Sequence, residues 1–560
     1  MLTEGIAGLG ETVAEVIVVG SGPVGLALAT DLARRGIRVL VLESGSVGGN
    51  ASIQALSDAS LSDPSRHDDM SIAVARRLGG TSNLWGARCL PFDPVDFEAR
   101  PFVAARWPLA YEDVAPYWAP ALRAACAGEA VFKSEPTLNP TADSTFSADT
   151  LERWANIQSA QVIHKEAIRS EPTLEVRSLA TVTGFRFAEN GRVAALEVSH
   201  SLSGERVEVP VKSLVLASGG LETARLLLSA QCQSANRFGG ANGPLGRYYM
   251  GHVLGEIADI VFSSPALSRA FDFQIDGGSY VRRRLVPSAE TQREHQLLNA
   301  AFWPVVAPVA DPRHRSSILS MVFLALSYGP LGRLITAEAI RRRHIPDTPD
   351  QFLAHIANVL TGVPSAVSFA AKFLQRRYFS KYRQPGFFVL NRANRYGLSY
   401  HSEHAPEPTS RVCLNGRADR LGVPSLGIDL RFSEQDVDSV VRTHDLLEAW
   451  LVRSGIGRLE FRMPKAERHA AVLAQAMHGT HQIGLTRMGA DRRSGVVDGD
   501  LRSFDASNLY VASTSVLPTS SQANPTLTAI ALALRLADHL AAELQQPAPA
   551  SILTTAGAAE

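Results

Sequence analysis

Two all-apolar runs near the start of the chain set the first expectation. Val16–Val19 carries no polar position, the pattern of a strand buried on both faces. Behind it Leu26, Ala29, Leu32 and Ala33 recur on one helical face, with Gly36 where a C-cap falls. Val39–Leu42 is a second apolar run and ends at Glu43. Strand, helix and strand in this order predict a parallel α/β unit. The pattern returns at 213–217, which leads through Ser218-Gly219-Gly220 into a helical stretch at 221–228. Near the end, Asn524-Pro525 opens a helix with Leu527, Ile530, Leu534 and Ala537 among its apolar positions. The middle differs. Residues 352–374 are mostly apolar at helical spacing, preceded by Arg341-Arg342-Arg343-His344. Lys372, Arg376, Arg377, Lys381 and Arg383 follow, interleaved with Phe373, Tyr378, Phe379 and Tyr382.

Length turns these elements into a two-domain expectation, because 560 residues exceed one compact core. The 55 basic and 55 acidic residues balance, so no basic surplus points to nucleic acid. Cys89, Cys126, Cys232 and Cys413 are scattered, which suggests neither a disulfide framework nor a metal site. The first residues lack a basic n-region and a continuous apolar core, so no signal peptide is expected. The longest uncharged runs, such as 316–332 and 356–371, fall short of a bilayer span. Together these features lead to the expectation of a cytoplasmic protein. Residues 546–560, rich in Ala, Pro, Ser and Thr, read as a disordered tail.

The candidate chemistry starts at Gly20-Ser21-Gly22-Pro23-Val24-Gly25, a GxGxxG turn between the first strand and helix. Gly20 permits the sharp turn, Gly22 lets a pyrophosphate approach backbone, and Gly25 lets helix and strand pack closely. The helix N-terminus offers free N–H groups to phosphate. Glu43, 18 residues after Gly25, can accept from ribose hydroxyls. A second loop, Gly79-Gly80-Thr81-Ser82-Asn83-Leu84-Trp85-Gly86, has the small and flat residues that lie against a planar ligand. With the later glycine turn at Ser218-Gly219, it favours an FAD-sized ligand over a dinucleotide visiting from solvent. The C-terminal block holds His481-Gln482-Ile483-Gly484 and Asn524-Pro525-Thr526. Removal of hydride from an alcohol requires a base for the hydroxyl proton, and histidine suits by its pKa. An asparagine amide can hold the alcohol oxygen. Two alternatives stay open here: Asn524 as a plain N-cap, and His478 or His404 in place of His481.

These blocks, with Asn508-Leu509-Tyr510-Val511-Ala512 and Leu517-Pro518-Thr519, resemble the glucose–methanol–choline (GMC) oxidoreductase family from Val16 to Leu540. The resemblance implies a Rossmann-type α/β FAD domain built from discontinuous segments, about 10–90, 165–255 and 470–545. An α+β substrate domain with a large, mostly antiparallel sheet would take 91–164 and 256–469, with a helical insertion at about 327–400. It implies His481 as base and Asn524 as its partner. Ser44, Ala217, Ser218, Gly219 and Ser513 would join the turn and loop residues around FAD. Pro525 and Thr526 would lie at the pyrimidine end, and Val182 would meet the adenine side through backbone. Glu403-His404-Ala405-Pro406-Glu407-Pro408-Thr409-Ser410-Arg411-Val412 is similar to a stretch of the pyranose oxidase and glucoside 3-dehydrogenase branch. It departs from that branch at His404-Ala405 and Glu407. Where pyranose oxidases carry a flavin-linked histidine this chain has Leu84, so FAD is expected to be non-covalent.

The implied reaction is oxidation of a secondary alcohol on a sugar or glycoside, with oxygen or an electron carrier as acceptor. Rival expectations are a sterol, lipid-linked or aliphatic alcohol as substrate, a non-redox lyase, and a non-catalytic flavin-binding partner. For residues 341–383 the expectation is divided between a capping helix pair packed over the substrate domain and a patch that touches an anionic membrane.

Overall fold

The computed structural model describes residues 1–135, 138, 143–335, 341, 344–346 and 348–545. Arg342, Arg343 and the tail at 546–560 lie outside the described residues.

The buried apolar runs assemble as the sequence predicts. Six strands form a wholly parallel sheet in the order Leu2–Glu4, Leu174–Ser178, Val39–Leu42, Val16–Val19, Ser213–Leu216 and Leu509–Val511. Its members come from widely separated parts of the chain. The helix Pro23–Arg34 follows the second strand in sequence, and its first turn carries proline where a helix lacks N–H partners anyway. That helix packs against the final helix, Thr526–Gln545, and Arg35 bridges to Asp538 at 2.6 Å. Gly25 is obligatory for the close approach of this helix to the turn that precedes it: a Cβ there would sit 2.2 Å from the Gly20 carbonyl oxygen. A small antiparallel sheet of Ala180–Phe187, Val193–His200 and Arg206–Pro210 follows the second parallel strand-to-strand crossing.

The second large sheet is antiparallel. Its order is Gly457–Phe461, His252–Phe262, Arg395–Glu403, Ala300–Val305, Ser279–Pro287, Phe146–Trp154 and Arg88–Cys89, with Gln274–Asp276 beside Ser279–Pro287. The helix Glu434–Arg453 buries Val440, Leu447 and Trp450 in one core with Ile260, Phe302 and Tyr400 of this sheet. Ser433 and Asp436 close the helix's first turn as a capping box. The strands that open with His252 and carry His401 are neighbours, in the register Leu254 opposite His401. That register makes His252 and His401 diagonal neighbours on one face.

The insertion breaks the apolar stretch at 352–374 in two. Two helices form, Phe352–Leu360 and Val363–Leu374, bent by 94° at Thr361 and Gly362. The break has a local cause. Pro364 lacks the N–H that would continue the ladder, and a Cβ on Gly362 would stand 2.6 Å from Ser317 Oγ of the helix Ser317–Ser327.

Candidate active site

The glycine turn and its acid form one buried unit. Glu43 Oε2 accepts from Ser21 N at 3.0 Å and Ser21 Oγ at 2.6 Å, and Oε1 accepts from Gly45 N at 2.7 Å. The carboxylate thus braces the turn as well as lying beside it. Gly20 has φ +105°, and a Cβ there would be 2.6 Å from the Ala217 carbonyl oxygen, so Ala217 and Ser218 close over the turn. At Gly22 a Cβ would meet nothing within 4 Å. This is the open point where a phosphate can reach backbone. Pro23 and Val24 occupy the first turn of the helix behind it.

The second loop lands on the first. Gly79 N donates to Ser21 Oγ at 3.2 Å, and a Cβ on Gly80 would lie 3.0 Å from Gly22 Cα. Asn83 Nδ2 donates back to the Leu78 and Gly80 carbonyls, and Thr81 Oγ1 accepts from Ala75 N. Trp85 Nε1 donates to Gln158 O at 2.7 Å. Leu84 is half-buried beside it, while Gly86 is exposed and makes no visible part of the cradle. Ser44 Oγ and Thr181 Oγ1 are 2.7 Å apart, and Ala180 N donates to Glu43 O. Val182 therefore sits two residues along the strand from the acid. Gly219 precedes the helix Gly220–Gln233, whose Leu221 N donates to Gln482 Oε1 at 3.0 Å, next to His481. Ser513 caps the turn Thr514–Val516, and Thr514 Oγ1 donates to Gln482 O.

His481 and Asn524 meet, although 43 residues separate them: Asn524 Nδ2 lies 3.1 Å from His481 Nε2. Asn524 Oδ1 is buried with no hydrogen-bond partner among the described residues. It therefore makes no N-cap bond to its own helix, which removes the plain-cap alternative. Pro525 and Thr526 continue directly into that helix.

Two histidines that the sequence did not single out complete the site. His252 Nε2 faces the carbonyl oxygens of Ser520 and Ala523, both at 3.1 Å, so it carries the proton and donates. Burial, with His481 beside it, holds the His252 pKa well below the ordinary value. The neutral ring therefore presents a bare Nδ1, which lies 2.9 Å from His481 Nδ1. Only one of these two nitrogens can donate, and it is His481. The His481 tautomer follows: proton on Nδ1, lone pair on Nε2, with Asn524 Nδ2 donating to that lone pair. His401 stacks on His252 with centroids 4.1 Å apart and donates from Nδ1 to Gln522 O at 2.7 Å. Its pKa is also held well below the ordinary value, first by burial and then by His252 and His481.

His252, His401 and His481 each bring one nitrogen within 4.8 Å of the others, a cluster that the metal-free expectation did not foresee. The 2.9 Å His252–His481 contact has the geometry of a hydrogen bond with one shared proton. Two nitrogens on a tetrahedral zinc ion with bonds of about 2.0–2.1 Å stand roughly 3.3 Å apart.

The loop before Asn524 is held residue by residue. Ser520 Oγ accepts from His404 N, and Ser521 Oγ donates to Asp96 Oδ2 at 2.5 Å. Gln522 Nε2 donates to Asp93 Oδ2 at 2.7 Å, and Arg284 donates to its Oε1. Ser521 takes φ +57°, a left-handed conformation kept by these contacts. Asn299 Nδ2 ties Asp93 to Asp96, and burial followed by Asp93 and Glu403 pushes the Asp96 pKa up to about 8.

The rivals to His481 have other work. His404 accepts from Gly251 N, faces Arg431 O at 2.8 Å and stacks on Phe432. His478 Nδ1 accepts from His252 N at 2.7 Å, and its Nε2 bonds Thr480 Oγ1. The branch-like segment at Glu403 also proves structural at its start, since Glu403 takes both Arg100 terminal nitrogens, at 2.6 and 2.7 Å.

Comparison with known proteins finds partial matches to this chain. Residues 406–533 match the GMC oxidoreductase family, and residues 18–69 match the NAD(P)-binding Rossmann-like domain. The fructose dehydrogenase large subunit of Gluconobacter japonicus is 30% identical over 172 residues, 28% of this chain and 27% of the relative. A C-glycoside 3-oxidase of Arthrobacter globiformis is 35% identical over 127 residues, 22% of this chain and 23% of the relative. These alignments span about a quarter of the curated relatives' length. The fold is similar to that of pyridoxine 4-oxidase from Mesorbium loti, with a TM-score of 0.56 at 18% identity over 94% of this chain and 99% of that one. The C-terminal segment at 406–533 is thus similar to GMC oxidoreductases and the segment at 18–69 to Rossmann-like dinucleotide-binding domains.

Proposed function

We propose that the protein binds FAD non-covalently and oxidises a secondary alcohol on a sugar or glycoside ring to the ketone. The observation that carries this reading is the 3.1 Å contact between Asn524 Nδ2 and a His481 Nε2 whose lone pair is fixed by His252.

The residues fit FAD. The open point at Gly22 admits a pyrophosphate, and Glu43 lies beside it for a ribose. Asn524 Oδ1 and Thr528 Oγ1, at the start of the last helix, are buried polar atoms with no partner among the described residues. Leu84 offers no nucleophile for a covalent link. Bound FAD supplies a hydride acceptor at N5.

The chain's own residues do the rest. Asn524 Nδ2, which now donates to His481 Nε2, donates instead to the substrate oxygen. The hydroxyl proton then points at Nε2, which takes it as the C–H bond breaks. His481 becomes a cation between two neutral histidines, and its Nδ1–H stays on His252. The N-terminus of Thr526–Gln545 lends its positive dipole end to negative charge that develops near it. The electrons pass on to oxygen or to a carrier. Relatives named for fructose and C-glycosides support a sugar substrate. A cytoplasmic location is part of the same proposal.

A second reading, oxidation of a lipid-linked or aliphatic alcohol, is favoured by the exposed apolar residues of the insertion. Anaerobic bleaching of the flavin absorbance across sugars, glycosides, sterols and long-chain alcohols separates the two. Bleaching by glycosides supports the first reading. Bleaching by long-chain alcohols or sterols alone supports the second, and a bound flavin that only dithionite reduces contradicts the sugar reading and leaves the lipid-linked alcohol as the substrate to assay.

A further inference from the structure

One face of the large antiparallel sheet gathers arginines that its carboxylates do not balance. Strand pairing fixes which side chains share that face, because directly opposed residues, and those two apart on one strand, point the same way. Ala301 lies opposite His401, and Trp303 is two residues on from Ala301. Leu285 lies opposite Phe302, which sets Arg284 and Arg282 on the face of Trp303. Arg282 lies opposite Glu152, and Arg88 lies opposite Trp154, two residues from Glu152. The other face, with Phe302, Leu285 and Tyr400, packs in one core with Glu434–Arg453. The three arginines therefore stand on the side of the sheet that carries His252 and His401. The contacts agree with this. Arg284 donates to Gln522 Oε1, two residues before Asn524, and the Trp303 and His401 rings lie 6.4 Å apart by centroids. The Arg88 guanidinium lies 4.7 Å from the Trp303 centroid, and its charge adds to the groups that lower the His401 pKa.

Glu152 is the carboxylate among the three guanidiniums. It accepts from Arg282 Nε at 2.7 Å, and pairs with Arg88 Nε at 3.3 Å and Arg284 Nη1 at 3.9 Å. Asp93 is the next, held by Gln522 and Asn299, while Asp96 beside it keeps its proton up to about 8. Three arginines thus face two carboxylates. Burial lowers Arg282 and Arg284 to about 10 against the pull of Glu152. Those two are buried and committed to Glu152 and Gln522. Arg88 differs, because its side chain is 23% exposed. The Glu152 oxygen nearest to it has no hydrogen-bond partner among the described residues, so the Arg88 fork is not used up there. Such a fork matches a carboxylate or a phosphate. Arg88 also follows the flavin loop directly, two residues past the exposed Gly86. A further cation reaches that loop from the insertion: Arg383 Nη2 donates to Gln158 Oε1 at 2.9 Å, and Gln158 Nε2 donates to Trp85 O.

We propose that the alcohol substrate carries an oxyanion, a carboxylate or a phosphate, and that Arg88 binds it with Arg282 and Arg284 behind. This rests on the proposed oxidation and names its substrate class. The anion takes no part in the bond changes: hydride still leaves the carbinol carbon, and the hydroxyl proton still goes to His481. Its charge balances the surplus cation and offsets the arginine field in which His481 takes up that proton.

The test compares matched sugars by anaerobic flavin reduction of the full-length holoprotein: methyl glucuronide beside methyl glucoside, and glucose 6-phosphate beside glucose. The anionic member of at least one pair is expected to half-saturate the rate at a concentration roughly ten- to hundredfold below that of its neutral partner. Added salt should narrow the gap. Arg88→Gln is expected to abolish the preference, and Arg88→Lys, which keeps the charge but not the fork, to retain part of it. Wild-type flavin content and melting temperature in both variants separate lost recognition from lost folding. The pair that responds identifies the anion as carboxylate or phosphate. Neutral sugars that serve as well as their anionic partners overturn the inference, as does a preference that survives Arg88→Gln. If no sugar bleaches the flavin, the oxidation of sugars fails and the anion site is read by binding alone. Methyl glucuronide or glucose 6-phosphate should then shift the flavin absorbance at lower concentration in wild type than in Arg88→Gln, and absent or equal shifts overturn the site.

Discussion

Replacement of His252 by Phe removes the acceptor that keeps the His481 proton on Nδ1 and leaves His481 and Asn524 themselves untouched. In the intact chain that proton is shared over 2.9 Å with a bare His252 Nδ1, which is bare because Nε2 is committed to the Ser520 and Ala523 carbonyls. With Phe in place, the His481 Nδ1–H loses its His252 acceptor, at a cost of about 1–3 kcal/mol. The other tautomer avoids that cost, with its proton on Nε2 facing Asn524 Oδ1 after an amide flip. Since about 1.36 kcal/mol is a factor of ten, the fraction of His481 able to accept a proton falls roughly 5- to 150-fold. The assay is anaerobic stopped-flow reduction of the flavin by whichever alcohol bleaches it. The rate of reduction should fall by that factor, while substrate affinity and flavin content change little. H252Q, whose amide oxygen can accept from His481 Nδ1, should recover part of the loss. A His252→Phe enzyme that is fully flavinated and reduced within about twofold of wild type would refute the reasoning.

Gly22→Leu should fold with an unchanged circular dichroism spectrum but purify colourless, because φ −66° suits any residue and the side chain would fill the open phosphate position. Gly25→Ala should instead fail to fold, since its Cβ would stand 2.2 Å from backbone oxygen; a yellow, stable Gly25→Ala protein would contradict the packing described. Asp96, pushed up to about 8, keeps its proton in the folded chain above the pH at which the unfolded chain releases it, ~3.9. Its contribution is therefore complete below ~4 and is lost as the pH climbs through about 8. Melting temperatures should fall between pH 5.5 and 8, and Asp96→Asn should flatten that slope; an unchanged slope would exclude Asp96 as its source. Acid precipitation should release the yellow cofactor into the supernatant, and flavin fluorescence that stays with the protein on a denaturing gel would show a covalent link.

The parts of the molecule legible in the sequence are those where local pattern and local structure coincide. The runs at Val16–Val19 and Val39–Leu42, the glycine turn and the helix after Pro525 need only neighbouring residues to declare themselves, and all are present. The pairing of His481 with Asn524 was readable through family resemblance, not through spacing. His252 and His401 gave no signal, because each is a single histidine in a strand and their meeting depends on the register of two strands about 150 residues apart. The Ser520–Ala523 contacts were hidden for the same reason: their partners Asp93, Asp96, Arg284 and His404 come from distant segments. In the insertion, hydrophobic periodicity marked the helices but not their orientation. An apolar stripe reads as a core face, and the buried His355, the inward-bonding Asn358 and the exposed Leu353 and Leu360 show that here it faces outward.

The most direct test of the central claim is a deuterium isotope effect on anaerobic flavin reduction, with the alcohol labelled at its carbinol carbon. If His481 takes the hydroxyl proton while the C–H bond breaks, the labelled alcohol should reduce the flavin several-fold more slowly, and His481→Ala should lower the rate by about 10²–10⁴ with its FAD retained. Reduction at the same rate for both isotopologues, or at the wild-type rate in flavin-loaded His481→Ala, would contradict the account.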